Sequence, residues 1–199
     1  MIDFDAFRPP PALRTSRGAL VRGLGRLGLR LAGWRLEGGF PQESKFVAIV
    51  APHTSNWDFF LGLGVLFGLE FKASFLGKHT LFRGPAGWIL RRLGGIPVDR
   101  SQPNGVVADC VRAFQAAPAL LLALAPEGTR KGVSRWRTGF YQIAVAAQVP
   151  ILPVGFDFQR RVVRIMPLVH PTGDAAEDIP RIQGLFRDVR GLRARPQPA

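Results

Sequence analysis

The sequence predicts an α/β fold: a mixed, largely parallel sheet flanked by helices, with an N-terminal amphipathic helix attached. Three observations lead there. From Lys45 onward, short apolar β-rich runs alternate with helix-length segments. The chain has 199 residues, 47% of them hydrophobic, which suits one domain with a sizeable core. Before the alternation, residues 12–36 carry six arginines and no acid, with leucines at helical spacing.

Residues 1–11, ending in Pro9-Pro10-Pro11, read as a flexible leader. Leu20, Leu24, Leu27, Leu31 and Trp34 then recur at steps of four and three, so they share one stripe, with Arg22, Arg26 and Arg30 roughly opposite. A basic amphipathic helix with a Trp near its end fits a membrane interface; the alternative is a surface helix whose stripe packs on the domain. Gly18, Gly23, Gly25, Gly28 and Gly33 weaken it in isolation.

The alternation predicts strands at Lys45–Ala51, Phe71–Leu76, Gly95–Val98, Pro118–Ala125, Val149–Phe156 and Val162–Met166. Helices are expected at Ser55–Gly68, Pro85–Arg92, Pro103–Ala116 and Thr138–Ala147, with Pro103 suited to a first turn. A final helix spans Asp174–Leu192, interrupted or started at Pro180, and residues 193–199 read as a flexible tail. The expected organisation is therefore a leader and basic helix over 1–36, a main α/β domain over 37–192, and the tail.

Composition bounds the chemistry. One cysteine, Cys110, excludes a disulfide scaffold and a cysteine-built zinc site, and three histidines are too few for a His-rich metal cluster. Lys+Arg is 27 against Asp+Glu 14, a formal net charge of +13. Such a surface seeks polyanions: nucleic acid, an anionic membrane or phosphorylated substrates. A GC-rich genome is the plainer alternative reading of part of the Arg excess. The uncharged run from Phe59 to Leu69 is too short for a membrane span, which needs ~20 apolar residues. It suits an acyl-chain groove or plain core packing. The start, Met1-Ile2-Asp3-Phe4-Asp5, lacks the basic and apolar regions of a signal peptide.

Two segments carry chemistry. Ala51-Pro52-His53-Thr54-Ser55-Asn56-Trp57-Asp58 follows an apolar strand and opens a helix, where ligands of open α/β sheets bind. His53 and Asp58 are five residues apart, about 140° on a continuous helix, so they meet only if His53 precedes the helix and bends back. Asp58 would then accept the Nδ1–H of His53 and leave Nε2 free as a general base. A capped helix beside an exposed histidine is the plainer reading. The second segment, Ala125-Pro126-Glu127-Gly128-Thr129-Arg130-Lys131, also follows an apolar strand. Gly128 permits a tight turn, Thr129, Arg130 and Lys131 suit a phosphate, and Glu127 could orient a cation or the acceptor's hydroxyls. An ordinary polar turn would look the same.

Together, His-x4-Asp and Pro-Glu-Gly-Thr-Arg about 70 residues later resemble the glycerolipid acyltransferase family, the lysophosphatidic acid acyltransferases and their relatives. Gly95-Ile96-Pro97-Val98-Asp99-Arg100 looks like the family's second block, a short strand ending in a phosphate-binding Arg. Val149-Pro150-Ile151-Leu152-Pro153-Val154 matches its Pro-rich fourth block. Lys78 falls where the family often carries another substrate-facing Lys. The chain departs from the family at Pro52, usually Asn, at Ala125, usually Phe, and at Lys131, usually Ser. Pro97 also replaces a bulky apolar residue.

The resemblance implies that an acyl chain moves from a thioester, acyl-CoA or acyl carrier protein, to a hydroxyl of a lysophospholipid-type acceptor such as lysophosphatidic acid. No cofactor or metal is implied. His53 and Asp58 would be catalytic, and Lys78, Arg100, Glu127, Gly128, Thr129 and Arg130 would bind substrate. An anionic membrane surface is an expected partner, and the expected place is the cytoplasmic face of the cell membrane, peripheral or monotopic. A nucleic-acid-binding protein accounts for the charge but not for these segments, and the sequence has no recognisable nucleic-acid-binding motif. The same segments would also suit a catalytically silent lipid-binding relative or a thioester hydrolase that uses the same base on water.

Overall fold

A computed structural model describes residues 3–98, 103–128 and 136–193. Seven strands form one sheet in the order β1-β7-β6-β2-β5-β3-β4. They are β1 (Arg35–Gly38), β2 (Lys45–Ala51), β3 (Ser74–Lys78), β4 (Gly95–Val98), β5 (Leu120–Leu124), β6 (Ile151–Asp157) and β7 (Val162–Ile165). Every neighbouring pair is parallel except β6 and β7. This is the expected mixed, largely parallel α/β sheet. Central β2 reads KFVAIVA with no alternation because both its faces are covered.

The helices are α1 (Ala19–Leu31), α2 (Trp57–Leu69), α3 (Gly84–Arg92), α4 (Pro103–Ala116), α5 (Gly139–Ala147) and α6 (Ala175–Gly184). One core cluster lies under α1 and α2 and includes Leu29, Leu61, Val65, Phe46, Leu121 and Leu152. The other lies under α4, α5 and α6 and includes Ile49, Phe114, Ile143, Ile151 and Ile182. The parallel steps β2 to β3 and β3 to β4 run in the same direction across the sheet. Right-handed crossovers therefore place α2 and α3 on one face, and the return step through α4 on the other.

α1 docks on α2 through glycine. A Cβ on Gly25 would lie 2.8 Å from the Gly68 nitrogen and 3.1 Å from the Gly64 oxygen, so the two backbones touch. The helical propensity lost at Gly25 is offset by this close approach. Glu70 caps α2 in the left-handed region, φ 53°, and its carboxylate meets Arg22 at 3.0 Å.

Several expectations change. The leader is packed: Phe4 and Phe7 are buried, as is Leu13 just after it, and the guanidinium groups of Arg26 and Arg30 lie 4.8 and 5.4 Å from the Phe4 ring centre. Arg22, Arg26 and Arg30, opposite the leucine stripe as expected, contact Glu70, the Gly68 carbonyl and Phe4 in turn. Trp34 leaves the leucine stripe because α1 ends at Leu31 and Gly33, φ 72°, turns the chain; its ring packs edge-on against Phe158. Leu20, Leu24, Leu27 and Leu31 do not pack on the domain, because all four are exposed. β1 was not anticipated, since Arg-Leu-Glu-Gly has no strand pattern and becomes a strand by pairing with β7. β3 begins three residues later than expected. α6 runs through Pro180 and stops at Gly184, and Phe186 and Val189 are then buried in irregular chain. Residues 194–199 of the expected tail lie outside the described residues.

Candidate active site

Parallel strands bring their carboxyl ends to one edge of the sheet, and the loops that follow converge there. His53 lies two residues beyond β2, Glu127 three beyond β5, and Lys78 is the last residue of β3, in register with Val98 of β4. These positions lie beyond the carboxyl ends of the strands, the usual ligand side of such sheets.

The His53 loop closes on Asp58. After the cis Ala51–Pro52 bond, the chain bends before α2 starts at Trp57, so His53 precedes the helix. Asp58 Oδ2 accepts the Thr54 N–H at 2.8 Å and the Ser55 N–H at 2.9 Å, and His53 Nδ1 lies 2.9 Å from the same oxygen. Ser55 Oγ accepts the Trp57 N–H at 3.1 Å and satisfies one of the first-turn donors. The Asp58 side chain is 2% exposed and that of His53 27%, so the carboxylate is sealed while the imidazole reaches the opening. Asp58 Oδ1 has no hydrogen-bond partner among the described residues. With Nδ1 on the carboxylate, the neutral ring carries its lone pair on Nε2.

Glu127 joins the two loops. Its carboxylate, buried at 4% exposure, accepts the His53 backbone N–H at 3.2 and 3.3 Å. The expectation placed Glu127 on a cation or an acceptor hydroxyl; the described contact holds the histidine's own backbone. Ala125–Gly128 forms a tight turn in which the Gly128 N–H donates to the Ala125 carbonyl at 3.0 Å. Gly128 sits at φ 65°, where only glycine is at ease.

Arg137 was not singled out in the sequence. Its N–H donates to the Pro126 carbonyl at 2.8 Å, and its side chain runs over Gly128, where a Cβ would lie 2.7 Å from Cδ. Neighbouring Trp136 is fixed edge-on against Phe140 and Phe186. The only signal was an arginine close after the Glu-Gly turn. Arg100, Thr129 and Arg130 lie outside the described residues.

Beside the dyad lies an apolar cavity of about 240 Å3. His53 and Asp58 stand in its wall with Phe59 and Leu63 of α2, Phe75 of β3 and Leu93 just after α3. The Phe59–Leu69 run thus lines a cavity with one part and fills the core with another. A larger cleft of about 630 Å3 between the leader and α1 holds none of the expected site residues.

Comparison with known proteins bears on the family. The family model described as Acyltransferase matches residues 37–157, which include both loops. The 1-acyl-sn-glycerol-3-phosphate acyltransferase of Haemophilus influenzae is 26% identical over 147 residues, covering 69% of this chain and 59% of that protein. The protein of the same name from Escherichia coli is 29% identical over 112 residues, covering 53% of this chain and 44% of that one. The chain thus spans only about half the length of these curated relatives. The crystal structure of the 1-acyl-sn-glycerophosphate (LPA) acyltransferase PlsC from Thermotoga maritima superposes with TM-score 0.58 at 19% identity, over 88% of this chain and 80% of that one, a likeness of fold. With the family model matched over more than half its length, on the segment that holds the His53–Asp58 loop and the Glu127 turn, this chain belongs to the acyltransferase family.

Proposed function

We propose that the chain transfers a fatty acyl group from a thioester, acyl-CoA or acyl carrier protein, to a hydroxyl of a lysophosphatidic acid-type acceptor at a membrane surface. The observation that carries the reading is the His53–Asp58 pair, buried at the carboxylate and open at the imidazole, in the wall of an apolar cavity. The names of the Haemophilus and Escherichia relatives support the acceptor class.

In this reading the acyl chain lies in the cavity and its thioester carbonyl faces His53. Nε2 takes the acceptor's hydroxyl proton as that oxygen bonds to the carbonyl carbon. The tetrahedral intermediate collapses, the carbon–sulfur bond breaks, and the imidazolium returns its proton to the leaving thiolate. Asp58 stabilises the imidazolium in between. A positioned base adds about 10²–10⁴-fold, and holding two substrates together adds more. Arg100 and Arg130, with Thr129, Gly128 and Lys78, hold the acceptor's phosphate, and Arg137 adds a cation beside Gly128. No covalent acyl-enzyme and no cofactor is needed. The exposed leucines of α1 meet the bilayer, peripherally and at its cytoplasmic face. Among the described residues, no helix is long and apolar enough to cross a membrane.

The test is purified protein with both donor types and a panel of lysolipids, read by mass spectrometry. His53→Ala should abolish acylated product and leave the thermal transition near wild type. Wild-type turnover in that variant overturns the base assignment, and release of free fatty acid alone from the wild type would make the chain a thioester hydrolase.

A further inference from the structure

We propose that α3 is a second bilayer contact, separate from α1, so that the chain rests on an anionic membrane through the outer surface of its α1–α2–α3 layer. The proposal deepens the reading above and rests on it.

α3 shares its side of the sheet with α2, and Leu93 at its end lines the same cavity as Phe59 of α2. Over Gly84–Arg92, the period of 3.6 puts Trp88, Ile89 and Arg92 on one face. That face is bare: Trp88 is 62% exposed and Ile89 51%, and Leu81 in the preceding turn is exposed as well. The inner side is closed by buried Gly87, whose Cβ would collide with the Phe82 backbone, and by Arg91, which donates to the Phe82 carbonyl at 3.0 Å. α3 is therefore pinned from within and presents its apolar residues outward.

Charge selects the occupant. From Phe71 to Val98 the sequence has five Lys and Arg and no acid, and from Ala6 to Leu36 there is again no acid. Arg92 lies with its guanidinium carbon 5.1 Å from the Trp88 ring centre, and exposed Arg83 precedes the helix. A tryptophan beside arginines, in a stretch of sequence without acids, matches the headgroup level of an anionic bilayer: the indole enters the interface and the guanidinium groups meet phosphates. An acidic soluble protein would use the arginines and leave Trp88 and Ile89 without a role. Trp57 and Phe60 of α2, on the same side of the sheet, are exposed as well. The three helices then set the mouth of the cavity against the leaflet that holds a lipid acceptor.

The test uses the full chain and sedimentation with sonicated vesicles, either pure phosphatidylcholine or phosphatidylcholine with phosphatidylglycerol. Wild type should partition onto the anionic vesicles. Trp88→Ser/Ile89→Ser should weaken this at least tenfold, since burying even one of two large apolar side chains is worth about a factor of ten or more. Arg92→Gln should weaken it about fivefold at low salt. Leu24→Ser/Leu27→Ser should weaken it independently. All variants should keep the wild-type melting transition, and Trp88→Ser/Ile89→Ser should keep wild-type turnover on a short-chain acceptor below its micelle concentration. If the double variant misfolds, Ile89→Ser alone carries the comparison. Unchanged partitioning of the α3 variants, with the α1 variant impaired, overturns the second contact and leaves the membrane reading standing. Loss of binding to acyl carrier protein instead of vesicles assigns the face to an acidic protein and also overturns it. No partitioning by the wild type overturns the membrane reading itself.

Discussion

Replacing Asp58 by Asn separates the charge of the dyad from its hydrogen bonds. All three described donors, His53 Nδ1, Thr54 N and Ser55 N, converge on Oδ2, while Oδ1 has no partner among the described residues. An asparagine therefore places its carbonyl oxygen at Oδ2 and its NH2 at Oδ1, because the reverse would aim donors at donors. The loop geometry and the histidine tautomer survive, and the negative charge is lost. A unit charge pair about 4 Å apart in a medium of effective dielectric about 20 is worth about 4 kcal/mol. That energy acts only once the imidazolium forms, so kcat should fall about 10²–10³-fold with KM little changed. The buried NH2, left without an acceptor, should cost about 1–3 kcal/mol of stability. In a domain of this size each kcal/mol lowers Tm by about 2–4 °C. The assay is release of thiol from the acyl donor with product identified by mass spectrometry, beside a thermal melt. Wild-type kcat in a folded Asp58→Asn protein would refute the role given to the carboxylate. Complete inactivity with an unfolded melt would refute the hydrogen-bond arrangement.

Two further outcomes follow from contacts away from the dyad. A Cβ on Gly191 would lie 2.5 Å from Thr54 Cγ2 and 3.1 Å from Pro52 Cγ, so Gly191→Ala must push the C-terminal segment against the His53 loop. It should cost about 1–3 kcal/mol and lower kcat more than KM, whereas Gly184→Ala, which meets nothing within 4 Å, should do neither; thermal melts and steady-state kinetics compare the two. Burial alone would raise the Asp178 carboxyl, but hydrogen bonds from Thr172, Arg181 and Tyr141 hold it at about 2. Its native value lies below the unfolded one, near ~3.9. Its contribution is therefore full above about pH 4 and is lost as pH falls toward 2. Asp178→Asn should flatten that part of a stability-versus-pH curve measured by denaturant titration.

Much of the fold was legible because its signals are local. Lys45–Ala51 and Gly95–Val98 match the expected strands and Pro103–Ala116 the expected helix, since an uninterrupted apolar run or a proline at a first turn marks its own limits. Elements held by partners distant in sequence were not legible. Arg35–Gly38 becomes a strand only because β7 offers an edge. The leader looks mobile by composition and is packed because Phe4 finds the surface made by Gly68 and Arg26.

At the site, spacing alone argued against a His53–Asp58 contact on a continuous helix. What the sequence did determine is the chemistry on hand: an imidazole, a carboxylate and a Glu-Gly turn, each placed just beyond a buried strand by residue type. Tertiary structure decided which atoms meet. The loop folds back because a buried carboxylate must be satisfied, and Asp58 finds its donors in the Thr54 and Ser55 amides. Glu127 turns to the His53 backbone for the same reason. The exposed leucines of α1 were equally a matter of packing: the stripe was visible in the spacing, but the glycines put α1's other face on α2, and that contact turned the leucines outward.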